Sequence, residues 1–353
     1  MPIMLWTADY DAEWEKTFSK IVDVRRAGFN LHGRINDYLG EDALIEALQG
    51  CDILCVAYDK VTRRVLENCP DLKLILSVRD GPEENIDVNA CAELGIPVLG
   101  SAGRCTVSVA EFTFALMLNM ARPIITLTNT IRRDGWTKEN GRSLRSIVTS
   151  GSTELCGKTL GIVGLGRNAQ RLTKYALAFD MNVVAYDPYL PEEKADELGV
   201  TLMDLDEVMA VGDYIAVLAR ATSQNHNLIS RAQFEKMKST CAFINTARAS
   251  LVDTSALLDA LRTEKIRMAA VDVFDHEFIP DKDPYYDIPP EKLILTNHVA
   301  GFSQERTAHQ YAIGTENLTK FLHGECIRNN CARGSESAKG FAQRGGKLYG
   351  FIK

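Results

Sequence analysis

The sequence lacks several features that would place it in well-known functional classes. Its 40 Lys and Arg residues are outnumbered by 47 Asp and Glu, which gives a net charge of −7. This charge balance argues against a nucleic-acid partner, which basic side chains would hold through its phosphates. No apolar run reaches the ~18 residues of a membrane-spanning helix, and the N-terminus has no basic segment typical of a secretory signal. We therefore expect neither a nucleic-acid partner nor a membrane anchor.

Paired cysteines and metal-ligand spacings are missing as well. The nine cysteines are scattered without a C-x-x-C pair, and several lie in apolar runs such as CDILCVAY. Buried, reduced thiols are typical of a reducing cytosol, so we expect a cytoplasmic protein. His276 and Glu277 begin like a zinc-binding helix motif, but Pro280 stands where the second His belongs. The sequence therefore predicts no metal site.

What the sequence does contain is a dinucleotide-binding fingerprint. After the apolar run TLGIV, Gly164, Gly166 and Ala169 follow at G-x-G-x-x-A spacing. The first glycine permits a tight turn, the second lets a pyrophosphate approach the backbone, and the small third residue lets the helix pack on the strand. Asp187 ends the next strand pattern, 187 − 169 = 18 residues beyond Ala169, close to the ~20 expected for the carboxylate that binds a ribose diol. We predict that NAD binds here; the alternative is an ordinary β–α turn without a ligand.

Apolar runs alternate with helical patterns along the rest of the chain. The runs IMLWTA, DILCVAY, LKLILSV and IPVLGS precede the fingerprint, and DYIAVLA, CAFINTA, RMAAVDVF and KLILTNH follow it. This alternation predicts β-α-β units and parallel sheets, and the length of 353 residues predicts two domains. A long helix pattern over 107–131 is apolar on more than one stripe and contains Pro123. It predicts one kinked helix that lies between domains or against another subunit.

Three polar residues follow successive predicted strands. Arg248 follows CAFINTA, Glu277 follows AAVDVF, and His298 follows LILTN. Open α/β sheets bind their ligands at the carboxyl ends of the strands, so one crevice could hold all three side chains. Taken singly, each residue is as well explained by an ordinary surface or core role.

Several motifs, in this order, resemble those of the D-isomer-specific 2-hydroxyacid dehydrogenases: GKTLGIVGLGR, AYDP, MKSTCAFINTARASLVD, AAVDVFDHE and LTNHVAGFSQE. SVRDGPEENID, GIPVL and VAEFTFALML are also similar to segments of that family. The resemblance implies an α/β fold of two Rossmann-like domains: a split, flavodoxin-like substrate domain and an inserted NAD-binding domain with a doubly wound parallel sheet. We accordingly predict a substrate domain over 1–124 and 300–327, and a coenzyme domain over 125–299. The Gly-rich, basic segment 328–353 is predicted to be a disordered tail.

The resemblance also implies roles for individual residues. His298 matches the family's acid/base, which exchanges a proton with the substrate oxygen while the hydride moves between C2 and nicotinamide. Glu277 matches the carboxylate that orients this His, and Arg248 matches the group that binds the substrate carboxylate. Backbone N–H groups near Asp80 and Gly81 match the family's carboxylate-gripping loop. The implied coenzyme contacts are Gly164, Gly166, Arg167, Asn168, Asp187, Thr246 and Asp272, the last facing the nicotinamide amide.

This chain departs from the family pattern at several of these positions. Asn168 stands where a branched apolar residue is common, so its amide needs a hydrogen-bond partner at a tight packing point. Ala249 replaces a Gly, and the loop is altered if that position requires a positive φ. Pro82 has no N–H to offer near the substrate loop, which weakens the expected anion grip.

Two functions of different classes remain open at this level, with oxidation of formate or phosphite on the same scaffold as a third, less favoured possibility. The first is an NAD-dependent oxidoreductase acting on a small D-2-hydroxy acid or 2-keto acid. It would resemble a glyoxylate or hydroxypyruvate reductase or a phosphoglycerate dehydrogenase, and would be a homodimer through the 107–131 helix. The alternative is an NAD-binding, corepressor-like regulator of the same fold, with the basic tail as a partner-binding arm. The complete set of Arg248, Glu277 and His298 favours the enzyme.

Overall fold

The computed structural model describes residues 1–28, 38–79, 81–137, 141, 145–146, 151–276 and 279–323. The chain divides into two compact units. The first comprises Met1–Arg104 and the segment that begins at Ser303, and the second comprises Cys105–Phe302. Asp80, Glu277 and the predicted tail 328–353 lie outside the described residues.

The first unit is built on a five-stranded parallel sheet in the order β2-β1-β3-β4-β5. This order is that of the flavodoxin-like fold, as predicted. Ile53 and Cys55 of β3 face one hydrophobic cluster and Leu54 and Val56 face another, so both faces of this sheet are buried. The strands are β1 Ile3–Trp6, β2 Asp23–Arg26, β3 Ile53–Val56, β4 Leu74–Ser77 and β5 Val98–Leu99.

The second unit is built on a seven-stranded parallel sheet in the order β12-β11-β10-β9-β6-β7-β8. The chain runs outward from β6 to one side and then crosses back to β9 on the other side, which is the doubly wound order predicted for a dinucleotide-binding domain. Because all seven strands are parallel, their carboxyl ends lie along one edge. The strands are β6 Thr159–Val163, β7 Asn182–Tyr186, β8 Thr201–Leu202, β9 Tyr214–Val217, β10 Ala242–Asn245, β11 Met268–Val271 and β12 Leu293–Leu295.

Helices connect the strands in both units. In the first unit they are α1 Ala12–Phe18, α2 Glu41–Leu48, α3 Arg63–Glu67 and α4 Val88–Leu94. In the second unit they are α5 Thr106–Ala121, α6 Ile124–Asp134, α7 Arg167–Ala178, α8 Glu192–Glu197, α9 Leu205–Val211, α10 Arg231–Lys236 and α11 Thr254–Arg262. The C-terminal helix α12, Glu305–Leu322, returns to the first unit.

The helix pattern over 107–131 forms two helices instead of one kinked helix. Helix α5 ends at Ala121 and α6 starts after Pro123, because proline cannot continue the hydrogen-bond ladder of a preceding helix. Helix α5 packs within the second unit, where the ring centroid of Phe114 lies 4.8 Å from that of Phe179. The second unit therefore begins at Cys105, whereas the sequence placed the boundary at residue 124.

The described cysteines are all free thiols. Cys51, Cys55, Cys69, Cys91 and Cys241 are buried, and burial raises the pKa of Cys241 to about 12. Thiols that remain protonated in apolar surroundings are poor nucleophiles and poor metal ligands, so these side chains act as small core residues. In the same described part of the chain, no helix is long and apolar enough to cross a lipid bilayer.

Candidate active site

The two glycines of the fingerprint differ in their surroundings. Gly164 has φ +90, and a Cβ there would lie 2.4 Å from the Cα of Ala219, so only glycine fits the turn. Gly166 has an ordinary φ of −74 and precedes α7 without a side-chain cap, and a Cβ on it would meet nothing within 4 Å. The protein's own packing thus requires Gly164 but leaves open space beside Gly166, at a helix N-terminus suited to a pyrophosphate.

Asp187 is fixed at the carboxyl end of β7 by two backbone donors. The Leu165 N–H donates to its Oδ2 at 2.8 Å, and the Tyr189 N–H donates to its Oδ1 at 2.9 Å. A carboxylate has about four lone-pair sites, so each oxygen keeps acceptor capacity for a ribose hydroxyl. The carboxylate is therefore tied to the glycine turn at the carboxyl end of β7.

The other fingerprint residues behave less uniformly. Arg167 is exposed, and Asn168 is half-buried instead of lying at a tight packing point. Ala169 is buried in the core cluster beneath α7, which accounts for the small residue at this position.

The Thr246 hydroxyl is used inside the protein. It lies 2.8 Å from the hydroxyl of Thr113, which itself donates to the Val109 carbonyl at 2.7 Å. Since a hydroxyl has one proton to donate, Thr246 is the donor of this pair. Its side chain thus ties the end of β10 to α5, and its hydroxyl could serve the coenzyme only as a hydrogen-bond acceptor.

Arg248 is exposed on a short turn after β10. Its backbone is extended, with φ −146 and ψ 146, and it precedes the 3₁₀ turn Ala249–Leu251. Ala249 is not among the residues with positive φ, so the Gly-to-Ala departure introduces no strain here. The Arg248 Nη1 donates to the Ala247 carbonyl at 2.8 Å, which folds the guanidinium back over its own turn.

Asp272 grips the loop that carries His298. The side chain is fully buried; its Oδ1 accepts from the Thr296 hydroxyl at 2.6 Å and the Val299 N–H at 3.0 Å, and its Oδ2 accepts from the Ala300 N–H at 2.9 Å. The resemblance implied a place beside the nicotinamide amide. Three donors from one loop leave this buried carboxylate little capacity for a further partner.

His298 has an unusual backbone conformation. Its φ is +57, in the left-handed region that costs a non-glycine residue roughly 1–2 kcal/mol. The hydrogen bonds to Asp272 lie on both sides of it, at Thr296 and at Val299 and Ala300. Asp272 thus holds the loop on both sides of the strained residue, and the imidazole is exposed at the edge of the sheet.

The second unit therefore brings several predicted residues to one edge of its sheet. Arg248, Asp272 and His298 follow the neighbouring strands β10, β11 and β12, and Gly166 and Asp187 lie at the same edge. Gly81 belongs to the first unit, where it precedes the 3₁₀ turn Pro82–Glu84.

No cluster of three or more His, Cys, Asp or Glu side chains placed to hold a metal ion occurs within the described ranges. One buried polar residue beside Arg248, Asn245, was not anticipated from the sequence. Its amide makes hydrogen bonds within the Arg248 turn.

Comparison with known proteins identifies the family of the chain. Residues 114–300 match the family model "D-isomer specific 2-hydroxyacid dehydrogenase, NAD binding domain". The chain is 37% identical over 294 residues to a D-3-phosphoglycerate dehydrogenase of Methanocaldococcus jannaschii, an alignment that covers 82% of this chain and 53% of that protein. It is 33% identical over 288 residues to a hydroxypyruvate reductase of Thermotoga maritima, covering 81% and 89% of the two chains.

A solved structure shares the fold across nearly the whole chain. The D-mandelate dehydrogenase of Rhodotorula graminis superposes with a TM-score of 0.81 and 21% identity, covering 94% of this chain and 98% of that one. The chain spans about half the length of the phosphoglycerate dehydrogenases that it matches (53% and 49%), but most of the length of the hydroxypyruvate reductase. The chain belongs to the D-isomer-specific 2-hydroxyacid dehydrogenase family and carries its NAD-binding domain.

Proposed function

We propose that the chain is an NAD-dependent oxidoreductase that transfers a hydride between nicotinamide C4 and C2 of a small D-2-hydroxy acid or 2-keto acid. The observation that carries this proposal is the carboxyl edge of the second sheet. There, hydrogen bonds from Asn245 and Asp272 hold the turn of Arg248 and the loop of His298, at the same edge as the residues proposed to bind the pyrophosphate and the ribose. Open α/β sheets use this edge for their chemistry.

The proposed mechanism gives each exposed group one task. NAD, when bound, supplies the acceptor or donor of the hydride. Arg248 offers a planar fork to the substrate carboxylate and holds C2 in position. In the reduction, His298 donates a proton to the carbonyl oxygen as C2 is reduced, and in the oxidation it takes the proton back. Glu277 is proposed to orient the imidazole, and Asp272 supports it by holding its loop.

The first unit is proposed to bind the substrate through the backbone near Asp80 and Gly81. The names of the relatives, phosphoglycerate dehydrogenase, glyoxylate reductase and hydroxypyruvate reductase, support a small, polar 2-hydroxy or 2-keto acid. NAD is preferred over NADP in this proposal, because the fixed carboxylate of Asp187 would repel a ribose 2′-phosphate.

A panel of 2-keto acids tests this function directly. Glyoxylate, hydroxypyruvate and phosphohydroxypyruvate are each mixed with the protein and NADH, and loss of NADH absorbance is followed. We expect turnover of at least one acid, and a raised KM for that acid in Arg248→Lys, which keeps the charge but loses the fork. NADH binding by fluorescence without turnover of any acid in a broad panel would favour the corepressor-like regulator.

We further propose a cytoplasmic homodimer that forms through α6. None of the residues of this helix is buried. Its apolar side chains Ile124, Ile125 and Ile131 are therefore exposed, by 58%, 50% and 42%. Exposed aliphatic side chains grouped on one helix are typical of a subunit interface, and a second copy of the chain is the proposed occupant.

Sedimentation tests the dimer. The double variant Ile124→Glu with Ile131→Glu should sediment as a monomer. Tyr286→Glu, at a side chain 55% exposed outside α6, should remain dimeric. A native chain that sediments as a monomer, or a double variant that stays dimeric, would contradict the proposed interface.

A further inference from the structure

We propose that Asn245 is a positioning residue that holds Arg248 in place and connects the Arg248 turn to the His298 loop through Asp272. The inference rests on the proposed function and deepens it, because it concerns how the same site is assembled. Asn245 is the last residue of β10 and is only 2% exposed. A buried amide needs partners for both its donor and its acceptor, and the choice of partners reveals what it organises.

Both ends of the Asn245 amide hold the turn that presents Arg248. Its Oδ1 accepts from the Ala247 N–H at 3.0 Å, and its Nδ2 donates to the Arg248 carbonyl at 3.0 Å. These two groups lie at the two ends of the main-chain segment from Ala247 to Arg248, so the side chain of Asn245 holds this segment as a backbone turn would. The backbone from which the Arg248 side chain extends is thereby fixed, although the side chain itself is exposed.

The same residue continues the network towards the acid/base loop. Its main-chain carbonyl accepts from the Asp272 N–H at 3.0 Å. The Asp272 carboxylate in turn accepts from Thr296, Val299 and Ala300 on either side of His298. Hydrogen bonds made by buried side chains such as Asn245 and Asp272 favour a single geometry, because an alternative would leave a buried polar group unpaired. One network therefore sets the placement of both exposed groups.

A positioning role predicts a specific kinetic signature. Without the amide, Arg248 remains present but samples several orientations, so the KM for the acid should rise about 10–10²-fold, as for a misplaced binding group. The KM for NADH should change little, because Gly166 and Asp187 are untouched. Asn245→Ala removes both hydrogen bonds. Asn245→Asp, of nearly the same volume, keeps an acceptor for the Ala247 N–H but loses the donor to Arg248, and it serves if the alanine variant does not fold.

Asp213→Ala is the matched control. Asp213 lies in the same unit, before β9, at the opposite edge of the same sheet, where it accepts from the Thr159 N–H at 2.9 Å and the Lys238 ammonium at 2.9 Å. The Asp213→Ala variant therefore also loses two hydrogen bonds and should have a lower melting temperature than the native protein. Because it is remote from Arg248, the KM for the acid should stay unchanged in this variant.

Two measurements decide the proposal. Hydrogen exchange by mass spectrometry should show faster exchange over residues 246–252 in the Asn245 variants and not in Asp213→Ala. In a double-mutant cycle, Asn245→Ala should raise KM in the native background but add nothing when Arg248 is already Ala.

The outcomes separate this inference from the proposed function. Unchanged exchange over 246–252, or additive KM effects in the cycle, would overturn the positioning role. If Arg248→Ala itself leaves the KM of every acid unchanged, the assignment of Arg248 to the substrate fails instead. The exchange measurement then decides alone whether Asn245 holds the turn.

Discussion

The amino and carboxyl edges of the second sheet have similar polar side chains, but these side chains have different roles. At the amino edge, Asp213 accepts from the Thr159 N–H and Lys238, and Lys238 also donates to the Val211 carbonyl at 2.7 Å, so the polar groups satisfy one another. At the carboxyl edge, the buried Asn245 and Asp272 side chains bind the loops that carry the exposed Arg248 and His298. The hydrogen bonds at the amino edge stabilise the fold, whereas those at the carboxyl edge position the Arg248 turn and the His298 loop.

Electrostatics reinforce the contrast. Burial alone would raise the pKa of Asp213, but the Thr159 N–H and the Lys238 ammonium outweigh it and lower the pKa overall. Ionised Asp213 therefore stabilises the fold above the unfolded pKa of the carboxyl group. This contribution is lost as the pH falls through the lowered folded pKa. The amino edge should accordingly matter for acid stability and not for turnover.

The largest expected effect lies at the carboxyl edge. His298→Ala should lower kcat by ~10²–10⁴, the usual contribution of a positioned acid/base, because no other group described at this edge replaces the proton donor. NADH affinity, measured by fluorescence titration, should stay within a factor of about two, because the coenzyme contacts are unchanged. A variant that retains most of its kcat would place the acid/base elsewhere and would remove the functional difference between the edges.

The second largest effect is expected on the preference for NADH over NADPH. In Asp187→Ala, the carboxylate that would repel a 2′-phosphate is gone, so kcat/KM should fall with NADH and the preference over NADPH should narrow by about tenfold, or ~1.4 kcal/mol. The Leu165 and Tyr189 N–H groups lose their acceptor in this variant, so its melting temperature is recorded alongside. Equal kcat/KM with both coenzymes in the native protein would contradict the role of Asp187.

Much of this architecture could be predicted from the sequence, and the omissions have physical causes. Strands buried on both faces are apolar runs and were predicted. The edge strands β2, with the sequence DVRR, and β8, with only two residues, were missed because they bury too little to need an apolar run. Pro123 predicts an irregularity in the helix, but whether a proline kinks or ends a helix depends on the packing of the following segment, and α6 buries none of its residues.

The sequence predicts the exposed candidate residues Arg248 and His298, but not the buried side chains that hold their loops. Arg248 and His298 follow strands, which the sequence displays. The buried amide of Asn245 looks in sequence like any polar residue at a strand end, and only the structure shows that both of its ends hold the Arg248 turn. The same holds for Asp272, whose three hydrogen bonds to the His298 loop are seen only in the structure. Hydrogen bonds between strand-end loops depend on sheet order, which spacing along the chain does not encode.

The smallest expected effects concern backbone strain, which occurs at both edges. Asp180 and Glu264 have positive φ values of +55 and +57, and His298 has a φ of +57. Asp180 and Glu264 each follow the last turn of a helix, α7 or α11, where a left-handed residue is common.

At all three positions the Gly variant should be more stable than the Ala variant by about 1 kcal/mol in urea unfolding, because glycine adopts positive φ without strain. At Asp180 and Glu264 all four variants should keep the native kcat, whereas both His298 variants should lose it. If His298→Gly were no more stable than His298→Ala, the loop would relax when the imidazole is removed, and the grip of Asp272 would not be what enforces its conformation.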